Sequence, residues 1–154
     1  MGNKNLRNAN FMTEDEVRDL AKSILNFTNE KDVKVGVGQL TSFNQLGFKG
    51  VADKPDGWYL PKNLNDVAII LETKNSNEDI SKQKYIDELY KNIKITLTKY
   101  KKVIGILYNG EDVIVYKNME QIKTVSTLQN KEYYLSLFKE NKIDKQKIYN
   151  LTKK

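Results

Sequence analysis

Three charged residues of this 154-residue sequence have types and a spacing that suit phosphoryl-transfer chemistry. Asp56 follows a proline, and after 15 intervening residues come Glu72, Thr73 and Lys74. Carboxylate oxygens bind hard cations such as Mg²⁺ and Mn²⁺, and the backbone carbonyl of Thr73 could add a third ligand. A cation held there would lower the pKa of a water molecule and polarise a phosphoryl oxygen. Lys74 could place a compact positive charge beside the attacking water or the phosphate.

The surrounding sequence predicts how these residues meet. Residues 67–71 form a continuous apolar run rich in β-branched side chains, which is typical of a buried strand. Glu72 and Lys74 continue this strand and point to the same side, and Asp56 begins the strand before it. Charged groups beside a core are costly unless they are paired or bind a metal. The alternative is a surface Glu–Lys pair after an ordinary strand, because an E-x-K tripeptide often occurs by chance in a lysine-rich chain.

The composition excludes several kinds of site. The chain has no histidine and no cysteine, which excludes disulfides, thiol or imidazole catalysis and Cys/His zinc sites. The net charge of +6 favours an anionic partner such as nucleic acid, although a lysine-rich surface without such a role would give the same number. No apolar segment is long enough for a membrane span, and the first residues lack the apolar region of a signal peptide. We therefore expect no membrane association and a cytoplasmic location.

The elements that must position these residues follow from periodicity and capping signals. Thr13 and Glu16 form a capping-box pattern that opens a helix ending within residues 26–29. A second capping-box pattern at residues 76–79 predicts the start of the longest helix. Strands are expected at residues 33–37, 58–60, 67–71, 103–108 and 112–116, with a loop or irregular hairpin at 38–54.

The last segments complete the predicted architecture. Asn109-Gly110 predicts a hairpin with a type I′ turn. Residues 130–150 indicate one or two short helices with apolar anchors such as Ile143 and Ile148. The resulting fold class is α/β, with a mixed central β-sheet flanked by helices. We expect a flexible leader at residues 1–12 and a single domain at 13–154 with a helical C-terminal tail.

Pro55-Asp56 together with Glu72-Thr73-Lys74 resembles the PD-(D/E)xK nuclease superfamily. The segments KPDGWYLP, VAIILETKNS and KKVIGILYNG look like the N-terminal nuclease domain of restriction–modification enzymes. Those enzymes are type I R subunits and single-chain endonuclease–methyltransferases, and the resemblance covers roughly residues 14–120. It implies a restriction-endonuclease-like fold and bacterial, Mg²⁺-dependent hydrolysis of DNA, with Mn²⁺ as a substitute metal.

The resemblance also implies roles for individual residues. Asp56 and Glu72 would bind the metal, and Lys74 would assist the attacking water. An acidic residue of the first helix often joins such a site, and Glu16 is the best match, followed by Glu14. Many relatives carry Q-x-x-x-Y on the helix after E-x-K. Gln83 lies in that region and is a candidate catalytic residue, although the fourth residue after it is an aspartate, so the motif is not matched.

Lysines near the candidate site suggest a surface for double-stranded DNA. Lys49 and Lys54 lie in the loop before Asp56, while Lys82 and Lys84 lie on the lysine-rich second helix. A solvated helix face is the alternative interpretation of the helical lysines. Double-strand cleavage needs two sites, which would require a transient dimer or two nicks.

The chain lacks a GxxxxGK[ST] motif and a methyltransferase motif of the N-P-P-Y type. It therefore looks like an isolated catalytic domain of a larger protein, with methyltransferase or specificity modules of the same system as partners. Two alternatives fit the same sequence features. One is a non-catalytic nucleic-acid-binding or interaction module on the same fold, and the other is a junction resolvase or repair nuclease.

Overall fold

A computed structural model describes residues 11–139 of the chain as three helices and one six-stranded sheet. The helices are α1 (Glu14–Leu25), α2 (Gln83–Leu97) and α3 (131–139). The strands are β1 (Val33–Val37), β2 (Gly57–Pro61), β3 (Ala68–Thr73), β4 (Val103–Tyr108), β5 (Val113–Lys117) and β6 (Glu120–Ile122). The strands follow one another across the sheet in chain order. Every neighbouring pair is antiparallel except β3 and β4, which are parallel because α2 connects them.

The sheet has an apolar layer on each face, which is why its central strands carry apolar side chains in unbroken runs. All residues of β3 and β4 are buried. On one face Ile70 packs in a cluster with Leu89 of α2, and on the other Ile69 packs with Val17 of α1 and Tyr134 of α3. The predicted α/β class with a mixed, helix-flanked sheet is confirmed. At this coarse level the arrangement is consistent with a restriction-endonuclease-like fold.

Helix α1 begins where the sequence predicts. The Thr13 hydroxyl accepts the backbone N–H of Glu16, and the Glu16 carboxylate accepts the N–H of Thr13. The helix ends at Leu25, after which Asn26 adopts the left-handed conformation with φ 59°. Both caps satisfy backbone groups that a helix end would otherwise leave unpaired.

The predicted start of α2 is wrong. The helix begins at Gln83 without a side-chain cap, whereas residues 76–79 belong to a series of turns. The Ser76 hydroxyl accepts the backbone N–H of Met12 and so is not available as a helix cap. Asp79 hydrogen-bonds the amide two residues after it, which favours a turn over a helix. Met12 was predicted to belong to a flexible leader, but this bond ties it to the domain, and residues 1–10 lie outside the described residues.

The β4–β5 hairpin is confirmed, but its turn is not of type I′. That type needs positive φ at both central residues, and here Gly110 has φ 94° while Asn109 does not share that conformation. The Asn109 side chain instead accepts the N–H groups of Glu111 and Asp112 and closes a longer loop. Strand β6, which the periodicity does not predict, follows a turn at Asn118 with φ 52°.

The described part of the predicted tail is helical. Tyr134 and Leu137 of α3 are buried against the α1 face of the sheet, as anticipated for apolar anchors. Ile143 and Ile148, the other predicted anchors, lie outside the described residues. Within residues 11–139 none of the helices combines the length and the apolar character needed to cross a membrane.

Candidate active site

Asp56, Glu72 and Lys74 converge where β2 begins and β3 ends. The antiparallel register pairs Gly57 with Leu71, so Asp56 lies beside the end of β3. Its Oδ2 accepts the backbone N–H of Thr73 at 2.8 Å and the Thr73 hydroxyl at 3.2 Å. The Asp56 carboxylate is thus oriented by the strand that carries Glu72. The contacts of Thr73 with Asp56 involve its N–H and hydroxyl, and the ligand role of its carbonyl stays a prediction.

Glu72 is the most buried acidic residue of the site, with 5% of its surface exposed. Burial raises its pKa well above the ordinary range, and the charge of Asp56 and a hydrogen bond with it add to the effect. The amide Nδ2 of Asn92 on α2 donates a hydrogen bond to its Oε1. No lysine or arginine between residues 11 and 139 forms an ion pair with it. A carboxyl group in this setting strongly favours a proton or a bound cation.

Lys74 lies on the same side of the strand, as side-chain alternation predicts. Its Nζ is 2.9 Å from a carboxylate oxygen of Glu88 and 4.7 Å from the centre of the Tyr85 ring. Burial alone would lower its pKa, but the hydrogen bond to Glu88, together with the charges of Glu88, Glu14 and Glu72, outweighs burial and leaves the pKa raised. Lys74 therefore keeps its positive charge at neutral pH.

Glu14, and not Glu16, is the acidic residue of α1 that lies close enough to Asp56 and Lys74 for their charges to shift its pKa. The exposed Glu16 side chain is bound to Thr13 in the capping box. Partial burial raises the pKa of Glu14, the charge of Asp56 raises it further, and the charge of Lys74 opposes both effects. The capping box itself was the signal that Glu16 has another use.

Arg18 is a residue of the site that the sequence interpretation missed. It is 5% exposed, and its Nη2 lies 3.3 Å from Glu14 and 3.8 Å from Asp56. Its Nη1 binds Asp15 at 2.7 Å. Among the buried side-chain nitrogen and oxygen atoms of residues 11–139, only its Nε has no hydrogen-bond partner. The i, i+4 spacing from Glu14 was the available sequence signal.

Helix α2 contributes residues other than Gln83. Gln83 is exposed at the first turn, where its amide binds Asp87 at 2.8 Å. The side chains that reach the E-x-K segment are Tyr85 and Glu88, which contact Lys74, and Asn92, which contacts Glu72. Glu88 and Asn92 are four residues apart, the spacing that the Q-x-x-x-Y motif would have. The available sequence signal for Asn92 was that it interrupts the apolar stripe of the helix.

Three of the four predicted DNA-binding lysines lie at this end of the sheet. Lys82 and Lys84 are exposed, and their Nζ atoms lie 5.9 and 5.1 Å from the centre of the Tyr85 ring. Lys54 is exposed two residues before Asp56. We call Lys54, Lys82 and Lys84 the site-side lysines.

Lys49 lies elsewhere. It follows Gly47 by two residues, and the Gly47 carbonyl accepts a hydrogen bond from Lys99, just beyond the C-terminal end of α2. The N-terminal end of α2 faces the site, whereas the segment that carries Lys49 contacts Lys99, beyond the C-terminal end of the helix. The geometry therefore does not favour contacts of Lys49 and Lys82 with the same phosphates.

The carboxylates of the site suit only a cation that needs few protein ligands. No group of three or more acidic side chains within residues 11–139 is arranged to hold a metal ion. Asp56 and Glu72 nevertheless provide two adjoining carboxylates, and the buried one, Glu72, has no ion-pair partner in the described part of the chain. Mg²⁺ commonly binds one or two carboxylates and completes its shell with water and substrate phosphate. The residues present fit a cation of that kind.

Comparison of the chain with family models, with curated proteins and with solved structures gives no match. The resemblance to PD-(D/E)xK nucleases therefore rests on the residues that suggested it.

Proposed function

We propose that this chain is a metal-dependent endonuclease domain that hydrolyses phosphodiester bonds of double-stranded DNA in a restriction–modification system. One observation carries the proposal: Glu72 is 5% exposed beside Asp56, with no ion-pair partner within residues 11–139. Burying one carboxylate beside a second, half-buried carboxylate is unfavourable for folding. A cation that binds both would offset this cost, and Lys74 would lie beside it.

Asp56 and Glu72 are the residues that would hold Mg²⁺, with Mn²⁺ as a substitute. When bound, such a cation lowers the pKa of an adjacent water and polarises a phosphoryl oxygen. The two hydrogen bonds from Thr73 keep Asp56 in one orientation before any ligand binds. Pre-orientation of this kind removes part of the entropic cost of assembling the site.

Lys74 would act as a fixed positive charge and not as a base. Hydrolysis joins a water oxygen to phosphorus and breaks the bond to one deoxyribose oxygen; the water loses a proton and the leaving oxygen gains one. Negative charge grows on the phosphoryl oxygens during this step, and an ammonium group beside them stabilises it. The raised pKa of Lys74 suits this role, and Glu88 and Tyr85 hold its Nζ in place.

The proposed substrate follows from the charge around the site. The site-side lysines are exposed at the end of the sheet that carries the carboxylates, and the chain has a net charge of +6. Methyltransferase or specificity modules would supply sequence recognition, and a second copy would supply the cut in the opposite strand. The modules and the second copy are part of the proposed function.

A second candidate is a non-catalytic nucleic-acid-binding module. The observation that favours it is internal charge compensation, because Lys74 is bonded to Glu88 and Arg18 lies 3.8 Å from Asp56. Partners for these two charges reduce the dependence of the site on a metal. Such a module would bind DNA in EDTA and would leave it intact when Mg²⁺ or Mn²⁺ is restored.

Plasmid nicking separates these candidates. Purified wild type is incubated with supercoiled plasmid in Mn²⁺ and in EDTA, beside Glu72→Gln, Lys74→Met and the control Glu120→Gln, which changes an exposed carboxylate on β6. We expect nicking only with the metal, reduced by about 10²-fold or more in the first two variants and unchanged in the control. Nicking that survives in both site variants would overturn the proposal.

Two other outcomes are informative. Folded wild type that binds DNA in EDTA but never nicks it supports the binding module. Strong preference for branched over linear duplex DNA supports a junction resolvase or repair nuclease.

A further inference from the structure

We propose that Asn92 is a positioning residue that fixes the orientation of Glu72 for cation binding. Its Nδ2 donates a hydrogen bond to Oε1 of Glu72, and both residues are 5% exposed. This inference rests on the proposed function, because it gives Asn92 a role toward the cation that Asp56 and Glu72 would share. It adds a residue that neither the spacing of the sequence nor the resemblance assigns.

The position of Asn92 is costly for the fold alone. It lies in the interior of α2, between Leu89 and Ile93, which are fully buried against the sheet. Asparagine is a weaker helix former than leucine, and a buried amide is unfavourable unless it is hydrogen-bonded. A leucine would suit the packing of this helix face better. We therefore attribute the presence of an amide at this position to its hydrogen bond with Glu72.

The chemistry of the amide suits the orientation of a metal ligand. An NH₂ group only donates hydrogen bonds, so it orients the carboxylate of Glu72 through Oε1 without itself competing for the cation. Being uncharged, it does not neutralise the carboxylate as a lysine or arginine would. In metalloproteins, outer partners that orient ligands in this way typically change metal affinity 10–100-fold when they are removed.

Asn92 is held by its surroundings as well. Its backbone carbonyl accepts a hydrogen bond from the Thr96 hydroxyl at 2.8 Å. The next residue, Ile93, packs closely against Gly105 of β4 and fixes the helix on the sheet. The amide is thus presented from a rigid element, which is what pre-orientation of a ligand requires.

The test measures the rise in melting temperature on titration with Mn²⁺ alone, with no DNA present. The variants are Asn92→Leu, which removes the donor, and Asn92→Asp, which places a third carboxylate beside Glu72. Leu97→Val is the matched control, since Leu97 packs from the same helix against the same core cluster and takes no part in the hydrogen bonds of Asn92. We expect the half-saturating Mn²⁺ concentration to rise about 10–100-fold in Asn92→Leu and to stay at the wild-type value in Leu97→Val.

Asn92→Asp gives a result that a purely structural role would not give. It should melt at a lower temperature than wild type in EDTA, because a carboxylate replaces a donor, and show a larger Mn²⁺-induced rise than wild type. A Mn²⁺ response of both Asn92 variants equal to that of wild type would overturn the inference. If Asn92→Leu does not fold, a Mn²⁺ response of Asn92→Asp equal to that of wild type is sufficient to overturn the inference. A wild type without any Mn²⁺ response, matching Glu72→Gln, would instead overturn the cation site of the proposed function.

Discussion

Among the single residues, Glu72 suits the chemistry of the site but lowers the stability of the metal-free protein as the pH rises. Its pKa in the folded protein is raised well above the ordinary value of 4.5, because of burial first and the charge of Asp56 second. Above pH 4.5 the unfolded chain loses this proton more readily than the folded protein. The free energy of unfolding therefore falls as the pH rises from there through the folded pKa.

Glu72→Gln should remove this pH dependence. In EDTA we expect the variant to be more stable than wild type at neutral pH, with an advantage that shrinks as the pH falls toward 4.5. Urea denaturation of both proteins across this range measures it, and Glu120→Gln, an exposed control, should follow wild type. Parallel pH profiles of wild type and Glu72→Gln would contradict the burial argument.

Part of the candidate site was predictable at this scale. Alternation along a strand and the pairing of neighbouring strands bring Asp56, Glu72 and Lys74 together, and both follow from short sequence patterns. Arg18 and Asn92 could not be predicted in the same way. Their contacts depend on how each helix is rotated on the sheet, which the spacing within one element does not determine.

At the scale of elements, the position of α2 on the sheet depends on a close approach to β4. A Cβ added to Gly105 would lie 2.4 Å from Cδ1 and 2.7 Å from Cγ1 of Ile93, a fully buried side chain. Because Gly105 has no side chain, α2 can pack close enough to the sheet for Asn92 to form its hydrogen bond with Glu72.

Gly105→Ala should destabilise the protein by about 1–3 kcal/mol, because an added methyl group overpacks this contact. Ile93→Val removes the atom that lies closest, so the double variant should recover part of the loss relative to Gly105→Ala. Urea denaturation of the four proteins in a double-mutant cycle measures the coupling. Additive effects of the two substitutions would show that the contact is not the cause.

Elements with signals inside their own sequence were predicted well. Helix α1 has reciprocal caps within four residues, and β3 and β4 are continuous apolar runs. The start of α2 was wrong because Ser76 bonds to Met12, 64 residues away in the chain. Local pattern cannot distinguish a capping serine from one used in such a long-range contact.

At the scale of the whole molecule, the sheet has two ends with different chemistry. Strands β3 and β4 both end at the candidate site, and α2 returns the chain to the opposite end. Exposed lysines occur at both ends, so the net charge of +6 does not by itself locate a DNA surface. A matched set at the far end consists of Lys62, Lys101 and Lys102.

The salt dependence of DNA binding distinguishes the two ends. Replacing all three site-side lysines by alanine should weaken binding to duplex DNA in EDTA. It should also reduce the slope of log affinity against log salt by about 0.9 for each lysine that contacts a phosphate. The far-end triple variant removes the same charge and should lower affinity only slightly, with the wild-type slope. Fluorescence anisotropy over a range of salt concentrations measures both quantities. Equal slopes for the two triple variants would mean that DNA responds to the net charge of the molecule and not to the end that carries Asp56, Glu72 and Lys74.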